Sequence, residues 1–225
     1  MNMLSTPAFA KRLDRLFADE DASRARMEQR MAAMTPAERD AVFSGMADYK
    51  SFYSNARDIH LAVSRDTARL LYMLARSGNA RNVVEFGTSF GISTLHLAAA
   101  VRDNVGNGGG GKIITSEFEP SKAAQARATF AEAGFADLIE LREGDALETL
   151  ARELPEHIDL VLLDGAKTLY LQILALVEPH LRDGALIVAD NADWSPAYLA
   201  HVREPRNGYL SMPFGTDVEL SVRTG

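Results

Sequence analysis

Four side chains carry the densest chemical signal in this sequence: Asp164, Lys167, Asp190 and Asn191. LVLLDGAK (160–167) is an apolar run that ends on Asp164 and turns at Gly165, and GALIVADN (184–191) is the next such run, ending on Asp190-Asn191. If the two runs are neighbouring parallel strands, their ends lie side by side and the three oxygen-bearing side chains converge. Two carboxylates and an amide oxygen form a hard, all-oxygen donor set, suited to Mg²⁺ first and Ca²⁺ second and unsuited to zinc. Three protein ligands leave about three octahedral positions for a bidentate substrate and a water. Lys167 follows Asp164 by three, so the turn can aim its ammonium at the same point. A nearby cation and partial burial would lower its pKa and fit it as a general base. A salt bridge to Asp164 is the competing reading, and acids at strand ends also cap the helices that follow.

A second constellation lies upstream. VVEFGTSFGISTLHL (83–97) reads as strand, glycine turn and helix, with Gly87 and Gly91 letting the backbone pass close to a ligand. Its spacing is not that of a dinucleotide fingerprint. KIITSEFEP (112–120) ends its strand on Glu117, where a carboxylate can accept both hydroxyls of a ribose. REGDALETL (142–150) puts Asp145 and Ala146 at the next strand end, where an adenine edge can be read. Each acid alone is more often a helix cap or a solvated charge. Together they line the sheet edge at which α/β folds bind ligands.

The elements that must position these residues follow a clear rhythm. Short apolar runs at 82–86, 112–116, 138–141, 158–163 and 185–189 alternate with helical patterns such as Ser64–Arg76, Ser121–Ala133 and Leu169–Leu181. Near-continuous apolar strands separated by helices predict a parallel sheet covered on both faces. The last two runs, 208–212 and 217–222, flank Pro213-Phe214-Gly215-Thr216 and predict an antiparallel hairpin. Residues 1–80 read as helices: Leu13, Leu16 and Phe17 share one helical face, and Thr35-Pro36-Ala37-Glu38 opens a new helix. We therefore divide the chain into an N-terminal helical extension, 1–63, and a ligand-binding domain, 64–225. The glycine-rich stretch 103–112 precedes a strand, whereas a phosphate loop follows one, so it reads as a flexible connection.

Composition narrows the function classes. The chain has 225 residues, 47% hydrophobic and 24% charged, and no cysteine, which excludes disulfides and thiolate metal sites. No run approaches the roughly 18 apolar residues of a membrane span, and the N-terminus lacks the pattern of a signal peptide. A cytoplasmic protein without membrane contact is expected. Of the net charge of −7, residues 1–80 contribute +2, and residues 81–225, with 12 basic against 21 acidic side chains, contribute −9. An acidic main domain without a basic stripe makes nucleic acid an unlikely partner. His60, His96, His157, His180 and His201 show no metal-ligand spacing.

With these motifs in place, the sequence resembles the class I S-adenosylmethionine-dependent methyltransferases. The resemblance implies a Rossmann-like, doubly wound α/β fold: a seven-stranded, mostly parallel sheet closed by the antiparallel hairpin. It implies that Glu85, Gly87, Ser93, Glu117, Asp145, Ala146 and Asp164 contact S-adenosylmethionine. Within that class, Asp164, Lys167 and the Asp190-Asn191 pair resemble the signature of the metal-dependent catechol and caffeoyl-coenzyme A O-methyltransferases, over about residues 60–225. Tyr170, three after Lys167, matches the coenzyme A branch and is carried over as a substrate residue. The closing MPFGTDVELSV only loosely echoes the family's Pro-Xaa-Gly-Asp-Gly ending. The implied activity is divalent-metal-assisted methyl transfer to a hydroxyl of a catechol-like or vicinal-diol small molecule, by a protein expected to be a homodimer. A tRNA hydroxyuridine O-methyltransferase and an inactive cofactor-binding protein are the alternatives. Trp194, three beyond Asn191, is expected at the pocket mouth, either as an aromatic wall or as a packed surface residue. The aromatic stretch 43–53 is expected to form a lid or dimer contact.

Overall fold

A computed structural model describes residues 2–38, 48–106 and 109–225. Seven strands, β1 (Asn82–Phe86), β2 (Lys112–Glu117), β3 (Ile139–Glu143), β4 (Ile158–Leu163), β5 (Leu181–Asp190), β6 (Tyr209–Phe214) and β7 (Val218–Arg223), form one sheet in the order β3-β2-β1-β4-β5-β7-β6. The first five are parallel, and β7 runs antiparallel to both β5 and β6. The doubly wound sheet and its closing hairpin are as the sequence predicts.

Strand alternation explains how the sheet is buried on both faces. Val83, Ile113, Leu160 and Leu162 point to one face, against α1 (Pro7–Ala33), α3 (Arg65–Ser77), α4 (Ile92–Val105) and α5 (Pro120–Ala133). Val84, Ile114, Val161, Leu163 and Ile187 point to the other, against α6 (Ala146–Thr149), α7 (Tyr170–Val177) and α8 (Pro196–Val202). Phe9, Leu13 and Phe17 of α1 belong to the first cluster, so the N-terminal helix packs into the same core as the sheet. α3 begins where the sequence predicts, with the Ser64 side chain accepting from Thr67 N at 3.0 Å. The helix expected over 169–181 is shorter. It ends at Val177, Pro179 lies in a 3-10 turn, and the chain enters β5 at Leu181.

Thr35 and Glu38 cap each other reciprocally: Glu38 accepts from Thr35 N at 2.7 Å, and Thr35 Oγ1 accepts from Glu38 N at 3.3 Å. Residues 36–38 are helical, whereas 39–47, which include 43–47 of the aromatic stretch, and 107–108 of the glycine-rich one lie outside the described residues. The described part of the aromatic stretch enters α2 (Tyr49–Asn55), which Asp48 caps. Among the described residues, no helix is long and apolar enough to cross a membrane.

β1 and β4 are adjacent, yet the chain leaves them for helices on opposite faces. A crevice therefore opens at their carboxyl ends, the place where open α/β sheets bind ligands.

Candidate active site

Register brings the metal candidates together. Leu163 of β4 pairs with Ala189 of β5, so the next residues, Asp164 and Asp190, stand side by side at the two strand ends. Asp190 is 7% exposed, and Asp164 is almost equally covered. Burial and nearby Asp217 push both pKa values up, the charge of Asp164 raises Asp190 further, to about 7, and Lys167 pulls both down. Asn191 follows in the left-handed region at φ 47°, and its side chain lines the same cavity as both acids. Among the described residues, no group of three or more His, Asp or Glu is arranged to hold a metal. The candidate set is two acids plus an amide. Two buried carboxyls at adjacent strand ends, with Asn191 on the same cavity, fit a divalent cation, whose charge would offset the repulsion between them.

Lys167 Nζ lies 2.9 Å from Asp164 Oδ1 and 5.2 Å from the Tyr170 ring centre. The salt bridge anticipated as the competing reading is thus present, and the ammonium still lines the cavity that holds Asp190 and Asn191. Tyr170 stands elsewhere than the resemblance implies. It is fully buried beneath the site, its hydroxyl 2.7 Å from the Leu163 carbonyl and 2.8 Å from that of Asp190. It ties the ends of β4 and β5 together.

The nucleoside candidates divide in a similar way. Glu117 lines a narrow cavity of about 50 Å³ with Gly87, Ser89, Phe118, Gly144 and Ala146. Its Oε2 accepts from Ser89 N at 2.7 Å and its Oε1 from Glu119 N at 2.9 Å, while burial raises its pKa. Asp145 caps α6, accepting from Leu147 N at 3.1 Å. It also receives the Tyr49 hydroxyl at 2.8 Å and pairs with Lys50 at 2.9 Å. Its carboxylate is therefore taken up by a helix end and by α2, and it is Ala146 that faces the cavity. Glu85 lies on the α4 side of the sheet because it alternates with Val84. Fully buried, it accepts from Ser93 at 2.6 Å, from Thr115 at 2.6 Å and from Thr94, and burial pushes it up to about 7 against those three bonds. Glu85 and Ser93 are thus spent on each other beneath the loop. His96 is also buried, with Nδ1 2.8 Å from the Ile92 carbonyl.

Gly87 is required by a different neighbour from the one sequence suggests. At φ +105°, a Cβ there would sit 2.7 Å from the Asp164 carbonyl and 2.8 Å from Gly165 N. The loop after β1 must press against the loop after β4, and this places Asp164 at the crevice. At Gly91, φ +89°, a Cβ would strike the Phe130 ring at 2.4 Å. Both close approaches are made by the protein itself.

A second, larger cavity of about 690 Å³ is lined by Lys167, Asp190, Asn191 and Trp194 and by Glu20, Arg24 and Met27 of α1. Trp194 is 51% exposed at its edge. Tyr53, Leu61, Asp164 and Ala166 line both cavities, so the two meet at Asp164. Tyr53, the α1 residues and Lys122 line these cavities, and sequence spacing did not single them out individually. Only the aromatic richness of 43–53 pointed toward one of them.

With this geometry in view, a family model described as O-methyltransferase matches residues 43–213. The chain belongs to the O-methyltransferase family. Among curated members, a catechol O-methyltransferase of Mycobacterium tuberculosis is 37% identical over 131 residues, covering 58% of this chain and 57% of that protein. Caffeoyl-CoA O-methyltransferase 1 of Eucalyptus globulus is 29% identical over 154 residues, covering 67% of this chain and 60% of that protein. The chain thus spans about three fifths of the length of these relatives. Among solved structures, the O-methyltransferase TomG of Streptomyces achromogenes, involved in tomaymycin synthesis and in complex with S-adenosylmethionine, aligns with a TM-score of 0.66 at 26% identity. That alignment covers 85% of this chain and 100% of TomG.

Proposed function

We propose that this family member is an S-adenosylmethionine-dependent O-methyltransferase that methylates a hydroxyl of a catechol-like or vicinal-diol small molecule with the help of a divalent cation, Mg²⁺ before Ca²⁺. The observation that carries this reading is the meeting of two cavities at Asp164, with Lys167 Nζ 2.9 Å from that carboxylate. When bound, S-adenosylmethionine supplies an electrophilic methyl group, and the cation supplies charge that favours an ionised hydroxyl.

The chain's own residues do the rest. Glu117, Phe118, Ala146 and the Gly87–Ser89 loop hold the nucleoside. Asp164, Asp190 and Asn191 would hold the cation, which would supply positive charge to bind and acidify an acceptor hydroxyl. Lys167 Nζ would receive the proton of the reacting hydroxyl from its neutral amine form, after giving up its own proton to solvent, and its 2.9 Å contact with Asp164 fixes where that nitrogen stands. Tyr170 keeps Asp164 and Asp190 in register from below. Trp194 and the α1 residues bound the acceptor space. Residues 1–63 are the extension that covers the acceptor side, and residues 64–225 carry the cofactor. On the same reading the protein works as a cytoplasmic homodimer on a small hydroxylated aromatic, without nucleic acid or membrane.

A methyl-transfer assay with a simple catechol tests the reading. Turnover is expected with Mg²⁺ and is expected to vanish in EDTA. Turnover indifferent to chelation removes the cation, and failure to bind S-adenosylhomocysteine removes the methyltransferase reading altogether.

A further inference from the structure

Lys122 is a buried cation that the catalytic cluster does not use. It sits in the first turn of α5 at 1% exposure, among the largest fully buried side chains of the protein. Among the described residues, no hydrogen bond or ion pair reaches its ammonium; its contact is the Phe90 face, 5.6 Å from Nζ to the ring centre. Nζ is not one of the fully enclosed polar atoms, and the side chain lines the smaller cavity beside Glu117 and Phe118. Burial pulls its pKa down, and the charges of Glu117, Glu119 and Asp58 pull it up. A buried ammonium without a hydrogen-bond partner is expensive to keep. None of the described residues compensates for it at bonding distance.

What the pair of side chains asks of a ligand is specific. Glu117 is an acceptor-only group, each of whose oxygens already takes one backbone N–H and retains a second lone pair. Lys122 is a donor-only group on the same wall, beyond ion-pair distance from it. A hydroxyl both donates and accepts, so a vicinal diol can give its protons to Glu117 and its lone pairs to Lys122. We propose that Lys122 is a cofactor-binding residue, whose ammonium donates to the ribose diol held by Glu117. This rests on the S-adenosylmethionine reading above.

Calorimetric titration of S-adenosylhomocysteine into the wild-type protein and Lys122→Met, with thermal melts of both, tests it. Because a charged hydrogen bond is lost, K122M is expected to bind on the order of 10- to 100-fold more weakly. Its melting temperature should equal or exceed the wild type's, since an apolar side chain replaces an unpaired charge. The 2′,3′-dideoxyribose analogue should bind both proteins within about twofold of each other, because it lacks the diol. Lys122→Gln, which keeps a donor without charge, should fall between the two. Unchanged S-adenosylhomocysteine binding by K122M and K122Q overturns the assignment. So does an equal loss for both ligands, or a K122M that does not fold, because each marks Lys122 as a structural residue. Absence of binding by the wild-type protein overturns the cofactor reading itself, and this assignment with it.

Discussion

Lys167→Met separates the two roles that one contact can serve. The ammonium and the Asp164 carboxylate are 2.9 Å apart, with side chains 16% and 10% exposed, so the pair is largely desolvated. Removing one partner of a buried pair costs about 3–5 kcal/mol when the other charge has no outlet. Here Asp164 has one, since it can share a proton with Asp190. A loss nearer 1–3 kcal/mol is therefore expected in metal-free protein. Saturating Mg²⁺ should shrink that loss, because the cation then balances the acids. If Lys167 also takes the acceptor proton, turnover per folded molecule should fall by about 10²–10⁴. The residual rate should rise tenfold per pH unit as hydroxide replaces the missing base. Urea unfolding with and without Mg²⁺ gives the first number, and a methyl-transfer pH profile on the same preparation gives the second. A variant that melts lower yet keeps a wild-type rate per folded molecule refutes the base assignment and leaves only the salt bridge.

Asp190→Asn should raise the melting temperature in EDTA, because it removes one of two crowded buried acids, and should abolish most of the Mg²⁺-induced stabilisation; a variant still stabilised like the wild type removes Asp190 from the ligand set. Tyr170→Phe should cost about 1–3 kcal/mol of stability, because two strand-end carbonyls lose their hydroxyl, while acceptor KM stays unchanged; a raised KM at unchanged stability would put Tyr170 back on the substrate. For Glu85, burial raises the folded-state pKa from 4.5 to about 7, so its contribution is fully present below pH 4.5 and is lost as pH rises through 7. The stability difference between wild type and Glu85→Gln should consequently fall by on the order of 3 kcal/mol between pH 4.5 and 8 in urea titrations. A difference flat across that range contradicts it.

The pattern of apolar runs and their terminal acids carried most of the fold. A strand buried on both faces must be apolar throughout, so its end is marked by the first charged residue, and that rule located Asp164, Asp190 and Glu117 correctly at the sheet edge. It also predicted the hairpin, because two short runs around Pro213–Thr216 leave no room for a crossover helix. Convergence of Asp164 and Asp190 needed only that β4 and β5 be neighbours. The chemistry of an all-oxygen donor set was equally legible, since it depends on residue type.

Other assignments depended on which way a side chain faces and what lies across from it, and local spacing does not encode that. Glu85 precedes a strand end by one residue, and alternation sent it under α4 to three hydroxyls. Asp145 is held by Tyr49 and Lys50, almost a hundred residues away in sequence. Tyr170 matched a motif by position, yet the helix turned it inward between two carbonyls. Gly87 was readable as a turn glycine, but the Asp164 backbone that demands it comes from another strand. Lys122 had no signal at all: a lysine on a helix reads as solvated until the sheet, Phe90 and Glu117 close around it. Residue type and burial pattern, which are local, were enough to mark out the strands along the chain and the chemistry at their ends, while the order of those strands in the sheet came from the tertiary structure. Which of those groups face a ligand and which are spent on the protein's own scaffold was decided only by tertiary packing, because hydrogen-bond partners are chosen across the fold.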